Sequence, residues 1–142
     1  MTIRVLARVR GNKIKSVSSV KIDRGDYHRI NPGDEIPEFE YEFVGKSLTG
    51  EPVELSEDEI PSQVSIDRAR RAWGERLAKS GFVSNTKTAA LDIARLAMYD
   101  HKFRTRGKRM QSRFPGKDAI TFEEFEAGTE IYWLAGDGAI IA

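Results

Sequence analysis

The residues best suited to binding chemistry lie in one basic stretch, His101 to Lys117, which contains seven lysines and arginines and no carboxylate. Clustered cations displace the counterions condensed on a phosphate backbone, and aromatic rings add stacking with unpaired bases. The stretch therefore predicts a nucleic-acid interface in which five cations neutralise phosphates, Phe103 and Phe114 stack on bases, and two further cations extend the track. The predicted interface residues are Lys102, Phe103, Arg104, Arg106, Lys108, Arg109, Arg113 and Lys117.

An acidic stretch in the same chain leaves two other interpretations open. Residues 34–59 hold ten carboxylates and one cation, Lys46, so the first 60 residues carry a net charge of −3 and the rest carry +4. Such asymmetry is typical of nucleic-acid contact or of complementary subunit surfaces. The alternatives are a viral assembly protein whose copies join as a homo-oligomer through oppositely charged surfaces, and a small inhibitor that binds a host factor through the acidic surface.

Catalysis and cofactor binding find no support in the residue pattern. The two histidines, His28 and His101, are far apart and belong to no recognisable motif, and cysteine is absent. Glu57-Asp58-Glu59 lacks the glycine and ligand spacing of a calcium loop. Glu123, Glu124 and Glu126 stand beside phenylalanines, which favours a structural turn over a carboxylate pair. We expect a protein that is not an enzyme and uses neither cofactor nor metal.

The amino-terminal 60 residues have the patterns of antiparallel strands. Ile3, Val5, Ala7 and Val9 alternate with polar residues, Gly11-Asn12 supplies a turn, and residues 14–22 return as a hairpin partner. Residues 23–37 are rich in turn formers and predict a loop. Residues 38–44 alternate again, with their aromatic side chains expected inside.

Two helices and a terminal hairpin follow. Helical spacing begins after Pro61 and ends near Gly81, and Asn85 can cap a second, apolar helix that runs to about Tyr99. Short strands are predicted at 119–122, 130–134 and 139–142, with a glycine turn at 136–138. The fold class predicted is α+β: N-terminal antiparallel strands, a central helical hairpin and a C-terminal β-hairpin.

Length and composition favour one domain of 142 residues. Its parts are a β-rich region (1–60), a helical region (62–100), a basic connector (101–117) and a β-hairpin (118–142). No segment has the length and apolarity of a membrane span, and the lack of cysteine suits a reducing compartment. We expect a location in the cytoplasm of a host cell or in a virion, without membrane contact.

Residues 113–142 resemble zinc-ribbon or treble-clef-like modules of phage and mobile-element proteins. The likeness lies in Phe114-Pro115-Gly116-Lys117, in residues 128–133 and in the Gly136-Asp137-Gly138-Ala139 hairpin. Asp118 and Thr121 stand where those modules have a cysteine pair, and Ile141 stands near their histidine. The resemblance implies a metal-free hairpin module of a kind associated with DNA handling, and thus a viral or mobile-element accessory protein.

Overall fold

A computed structural model describes all residues, 1–142, and divides them into two compact units. Unit 1 comprises residues 1–60 and 73–95, and unit 2 comprises residues 61–72 and 96–142, so each unit takes part of both helices. Strands in the amino-terminal region, two helices and carboxy-terminal strands follow in that order, which confirms the α+β class. That the chain is a single domain stays a prediction. No helix combines the length and apolar character needed to cross a membrane.

Unit 1 is built around a four-stranded sheet. Its elements, with the whole of each helix given, are β1 (Thr2–Arg10), β2 (Lys13–Lys21), β3 (Arg29–Ile30), β4 (Glu40–Lys46), β5 (Pro52–Val53), α1 (Gln63–Ser80), β6 (Ser84–Asn85) and α2 (Thr86–Arg106). The strand order is β2-β1-β4-β5, and β3 pairs separately with β6. β1 and β2 form the predicted antiparallel hairpin, whereas β4 runs parallel to β1. β2 returns the chain to the start of β1, where Lys21 lies opposite Arg4, and β4 begins at the same end, with Glu40 opposite Thr2 on the other edge of β1. β4 therefore runs in the same direction as β1.

Alternation along β1 gives the sheet one buried and one exposed face. Ile3, Val5, Ala7 and Val9 are buried, as the sequence predicts, while the arginines between them are exposed. The aromatic residues expected inside are less uniform: Phe39 is buried, but Tyr41 and Phe43 are only partly so. The Tyr41 hydroxyl donates to the Ala90 carbonyl oxygen at 2.7 Å, and burial, reinforced by the Asp92 carboxylate, raises the pKa of Tyr41.

Unit 2 packs short strands around the carboxy-terminal half of α2. The strands are β7 (Lys108–Gln111), β8 (Gly116–Lys117), β9 (Glu124–Phe125), β10 (Glu130–Leu134) and β11 (Gly138–Ile141). β10 lies between β11 and β7 in an antiparallel sheet, and β8 pairs with β9. Phe103, Ile120 and Ile140 are fully buried together and form the core of this unit.

Two element boundaries predicted for this region are wrong. α2 continues past Tyr99 to Arg106, because Tyr99 and Phe103 extend its apolar side by one turn into the core, with ring centroids 5.0 Å apart. The connector is thus largely ordered as helix and as β7. Residues 119–122 form a turn and not a strand, because the Asp118 Oδ1 atom accepts the N–H groups of Ile120 and Thr121 at 2.8 and 2.9 Å.

Candidate nucleic-acid interface

A buried ion network within unit 2 fixes both ends of the basic segment. Asp100 and Asp118 are fully buried, and the Arg68 guanidinium joins them, with Nε 2.8 Å from Asp100 Oδ1 and Nη2 2.5 Å from Asp118 Oδ2. Asp100 Oδ2 also accepts from Ser65 Oγ at 2.6 Å and from Arg104 Nε at 2.9 Å. The two carboxylates that bracket the basic stretch in the sequence are therefore the buried partners of arginines.

Asp118 ties three segments of unit 2 together. Besides the two N–H groups of the 119–122 turn, its carboxylate accepts the Ile141 N–H at 2.8 Å. Burial raises the pKa of Asp118, but hydrogen bonds from the Thr121 and Ile141 backbone and from Arg68 more than offset it, so the pKa lies below its ordinary value. The three positions that the zinc-ribbon resemblance aligns with metal ligands thus meet at one carboxylate. No group of three or more potential metal ligands lies together.

Three of the seven cations in the basic stretch are paired with carboxylates of their own unit. Arg104 belongs to the buried network, which removes it from any surface track. Lys102 Nζ lies 3.3 Å from Asp137 Oδ2, and Arg109 Nη2 lies 2.9 Å from Glu130 Oε2. Both of these last two pairs are accessible to solvent, and water and salt weaken such pairs, so a phosphate can compete for either cation.

The expectation that Phe103 stacks on a base is wrong. Its side chain is 0% exposed in the core of unit 2, with no ring face open to a ligand. Phe114, in contrast, is 75% exposed and has a ring free for stacking. Its segment is held in place because the Ser112 hydroxyl donates to the Phe114 carbonyl and accepts the Phe114 N–H.

The remaining four cations, Arg106, Lys108, Arg113 and Lys117, are exposed and have no carboxylate partner. Arg106 ends α2, Lys108 begins β7, and Lys117 ends β8. Arg113 lies in the loop between β7 and β8, next to Phe114. The structure thus reduces the predicted track of seven cations to four that are free to meet a phosphate.

Trp133 is an exposed aromatic residue of β10. It is 46% exposed and lies directly opposite Lys108 in the β10–β7 register. Paired side chains share a face and neighbours alternate, so Lys108 and Trp133 lie on the face opposite to Arg109 and Tyr132. The strand alternation within 130–134 could have indicated that Tyr132 and Trp133 face opposite ways, but not which of them is exposed.

Gly107 allows the close approach that sets this register. A Cβ atom at this position would lie 2.3 Å from the Phe103 carbonyl oxygen and 3.1 Å from the Trp133 carbonyl oxygen. The chain can therefore leave α2 and enter β7 beside β10 only with glycine at this point. Lys108, the next residue, is thereby placed across from Trp133.

Comparisons with known proteins give no relative from which a function could be transferred. No family model, no curated protein and no solved structure matches this chain. The resemblance of residues 113–142 to a metal-free ribbon module stays a prediction.

Proposed function

We propose that this protein binds nucleic acid without catalysing a reaction, through the unpaired cations and exposed aromatic rings of unit 2. The cations are Arg106, Lys108, Arg113 and Lys117, and the rings are those of Trp133 and Phe114. Single-stranded nucleic acid suits this combination, because a cationic surface follows the phosphates while bases stack on exposed rings. Its role is that of an accessory protein of viral or mobile-element origin.

The pairing of Lys108 with Trp133 carries the proposal. Lys108 has no carboxylate partner and lies directly opposite Trp133 on the adjacent strand. Almost half of the Trp133 surface is exposed. An exposed indole offers a ring face to a ligand, and every base offers a face for stacking. Arg113 and Phe114 repeat the combination of a free cation with an exposed ring in the loop after β7.

A set of matched charge variants tests the proposal. The segment variant, Lys108→Gln, Arg113→Gln and Lys117→Gln, removes three exposed cations of unit 2. The control variant, Arg24→Gln, Arg29→Gln and Lys79→Gln, removes three exposed cations of unit 1 and gives the same net charge. Fluorescence polarisation with a short labelled single-stranded DNA is measured for both between about 50 and 200 mM salt.

We expect the segment variant to lose affinity and the control variant to keep it. Each phosphate contact contributes about 0.7 to the magnitude of the log–log salt slope on a single strand, so three lost contacts lower it by about 2. Equal slopes for the wild type and the segment variant would show that these cations do not touch phosphates, and the assignment of nucleic-acid binding to unit 2 would then be wrong.

A further inference from the structure

The exposed face of the four-stranded sheet in unit 1 collects six cations from three strands. They are separated in the sequence by as many as 42 positions, so no basic run marks them. All six are exposed. They are Arg4, Arg8 and Arg10 on β1, Lys13 and Lys21 on β2, and Lys46 on β4.

The strand register places these cations opposite one another. The three like-charged pairs are Arg4 with Lys21, Arg8 with Lys46, and Arg10 with Lys13. Like charges directly opposite each other destabilise a sheet. The Glu42 carboxylate lies 3.9 Å from Arg4 Nε and partly offsets the repulsion between Arg4 and Lys21. The other five cations have no carboxylate partner. The face therefore concentrates positive charge that an external anion would neutralise.

The length of this array fits a polymer better than a small anion. Arg4 and Arg10 are six residues apart on β1, which corresponds to about 20 Å at about 3.4 Å per residue. A duplex presents one negative charge per about 1.7 Å of its axis, so charges continue along the whole array. Next to Arg4 and Lys21 a groove of about 520 Å³ adds the cation of Lys87, alongside Glu42 and Asp23.

The uncharged residues of the same face indicate how such a polymer is contacted. Register places Leu6, Ser16, Ser19 and Val44 among the cations, and no aromatic side chain. Arginine, lysine and serine donate hydrogen bonds to phosphate oxygens, whereas stacking needs a ring. Insertion into a membrane needs large apolar groups, and the apolar residues of this face, Leu6 and Val44, are half-buried in the sheet.

We propose that this sheet face, which we call the cationic sheet face, is a second nucleic-acid surface that binds the phosphate backbone without regard to base sequence. Because it has no stacking residues, it accepts duplex and single strand alike. It shares a class of partner with the unit 2 surface but none of its residues. Each surface can therefore fail a test independently of the other.

A third charge variant tests this surface. Arg8→Gln, Arg10→Gln and Lys46→Gln remove both members of one like-charged pair and one member of a second. Folding should therefore be unimpaired, as far-UV circular dichroism can verify. The probe is a short labelled DNA duplex of mixed sequence, titrated with salt. The matched control is again Arg24→Gln, Arg29→Gln and Lys79→Gln, and the single variant Arg8→Gln is measured as a milder second case.

We expect the sheet-face variant to lower the magnitude of the duplex salt slope by about 2.7, at about 0.9 for each of three lost contacts, and Arg8→Gln by about 0.9. The control variant should keep the wild-type slope. A sheet-face variant that matches the control overturns the proposal, whatever the segment variant does on single strands. Conversely, a wild-type slope for the segment variant on single strands together with a lowered duplex slope here would overturn only the unit 2 site.

Competition identifies the occupant. Polyglutamate and phosphatidylserine vesicles are added at the same concentration of negative charge as unlabelled duplex. We expect only the duplex to displace the probe efficiently. If polyglutamate or the vesicles displace it equally well, and lose this ability with the sheet-face variant, the surface recognises an acidic protein or a lipid surface, and its assignment to nucleic acid is wrong.

Discussion

The basic segment of unit 2 and the cationic sheet face of unit 1 differ in how close their cations are in the sequence and in how many of them have carboxylate partners. In the segment, seven cations lie close together in the sequence, yet three of them are paired with Asp100, Asp137 and Glu130. On the sheet face, six cations come from distant positions, and one has a carboxylate within 4.0 Å. Charge density along a sequence is therefore a poor measure of charge density on a surface, because folding brings acidic residues to a run but can gather separate cations on one face.

The two surfaces also differ in their aromatic content. Trp133 and Phe114 are exposed in unit 2, whereas the register of β1, β2 and β4 places no ring among the sheet-face cations. Stacking distinguishes single strands from duplexes, while phosphate contacts do not. The difference predicts a surface that prefers single strands and another without preference.

The largest effect on the free energy of unfolding should come from breaking the buried ion pairs that anchor the segment. Asp118→Asn removes the buried charge that holds Arg68 and weakens the bonds to the Thr121 and Ile141 N–H groups. Loss of one partner of a buried ion pair costs about 3–5 kcal/mol, and urea denaturation would measure it. Asp137→Asn, in the partly exposed pair with Lys102, should cost under about 1 kcal/mol. Equal costs for the two variants would contradict a structural role for the buried network.

The same carboxylate predicts how stability depends on pH. Because the folded pKa of Asp118 lies below its unfolded value of about 3.9, its stabilising contribution is complete above that value and is lost as pH falls through the folded pKa. We therefore expect the stability gap between wild type and Asp118→Asn to be constant near neutral pH and to narrow in acid. A gap that stays constant down to the acid transition would show that the charge of Asp118 is not responsible.

Removing a ring should sharpen the contrast in strand preference. Trp133→Ala should weaken single-strand binding by about 1–3 kcal/mol, the usual contribution of one stacked base, and leave duplex binding unchanged. Trp133→Phe, which keeps a stacking face, serves as the control. Parallel polarisation titrations with a strand and its duplex would measure both. Equal losses on the two probes would mean that Trp133 supports the fold of β10 and does not stack.

The smallest effect concerns the cost of the like charges themselves. Lys13→Glu converts its pair with Arg10 into opposite charges, and a favourable cross-strand pair contributes about 0.2–1 kcal/mol. We expect a slightly higher melting temperature together with weaker duplex binding. Lys15→Glu, at a position outside the paired register, should leave the melting temperature unchanged. A lower melting temperature for Lys13→Glu would show that the pair is not repulsive.

Local patterns in the sequence predicted most of the elements and the β1–β2 hairpin, but not how β4 pairs with β1. The alternation in Ile3 to Val9 located β1 and its buried face, yet nothing in residues 38–44 indicates that β4 runs parallel to β1. Orientation depends on how the connection crosses the sheet, which is a property of the whole fold. Residues 119–122 were predicted to be a strand because periodicity carries no information on the hydrogen bonds that the Asp118 carboxylate accepts from their N–H groups.

The candidate site was predictable only in part, for a related reason. The basic run was evident, but the burial of Phe103 and the partners of Lys102, Arg104 and Arg109 depend on tertiary contacts. The arginines of β1 were visible as the polar half of an alternating strand, the usual pattern of a solvated face. Only the register shows that lysines of β2 and β4 stand beside them.

The most direct test of nucleic-acid binding is a salt-titrated polarisation assay of the unmodified protein with single-stranded and duplex DNA and RNA. We expect all four to bind at low salt, single strands more tightly than duplexes, with affinities that fall steeply and linearly on a log–log plot as salt rises. If none of the four binds at low salt, both proposed surfaces are contradicted.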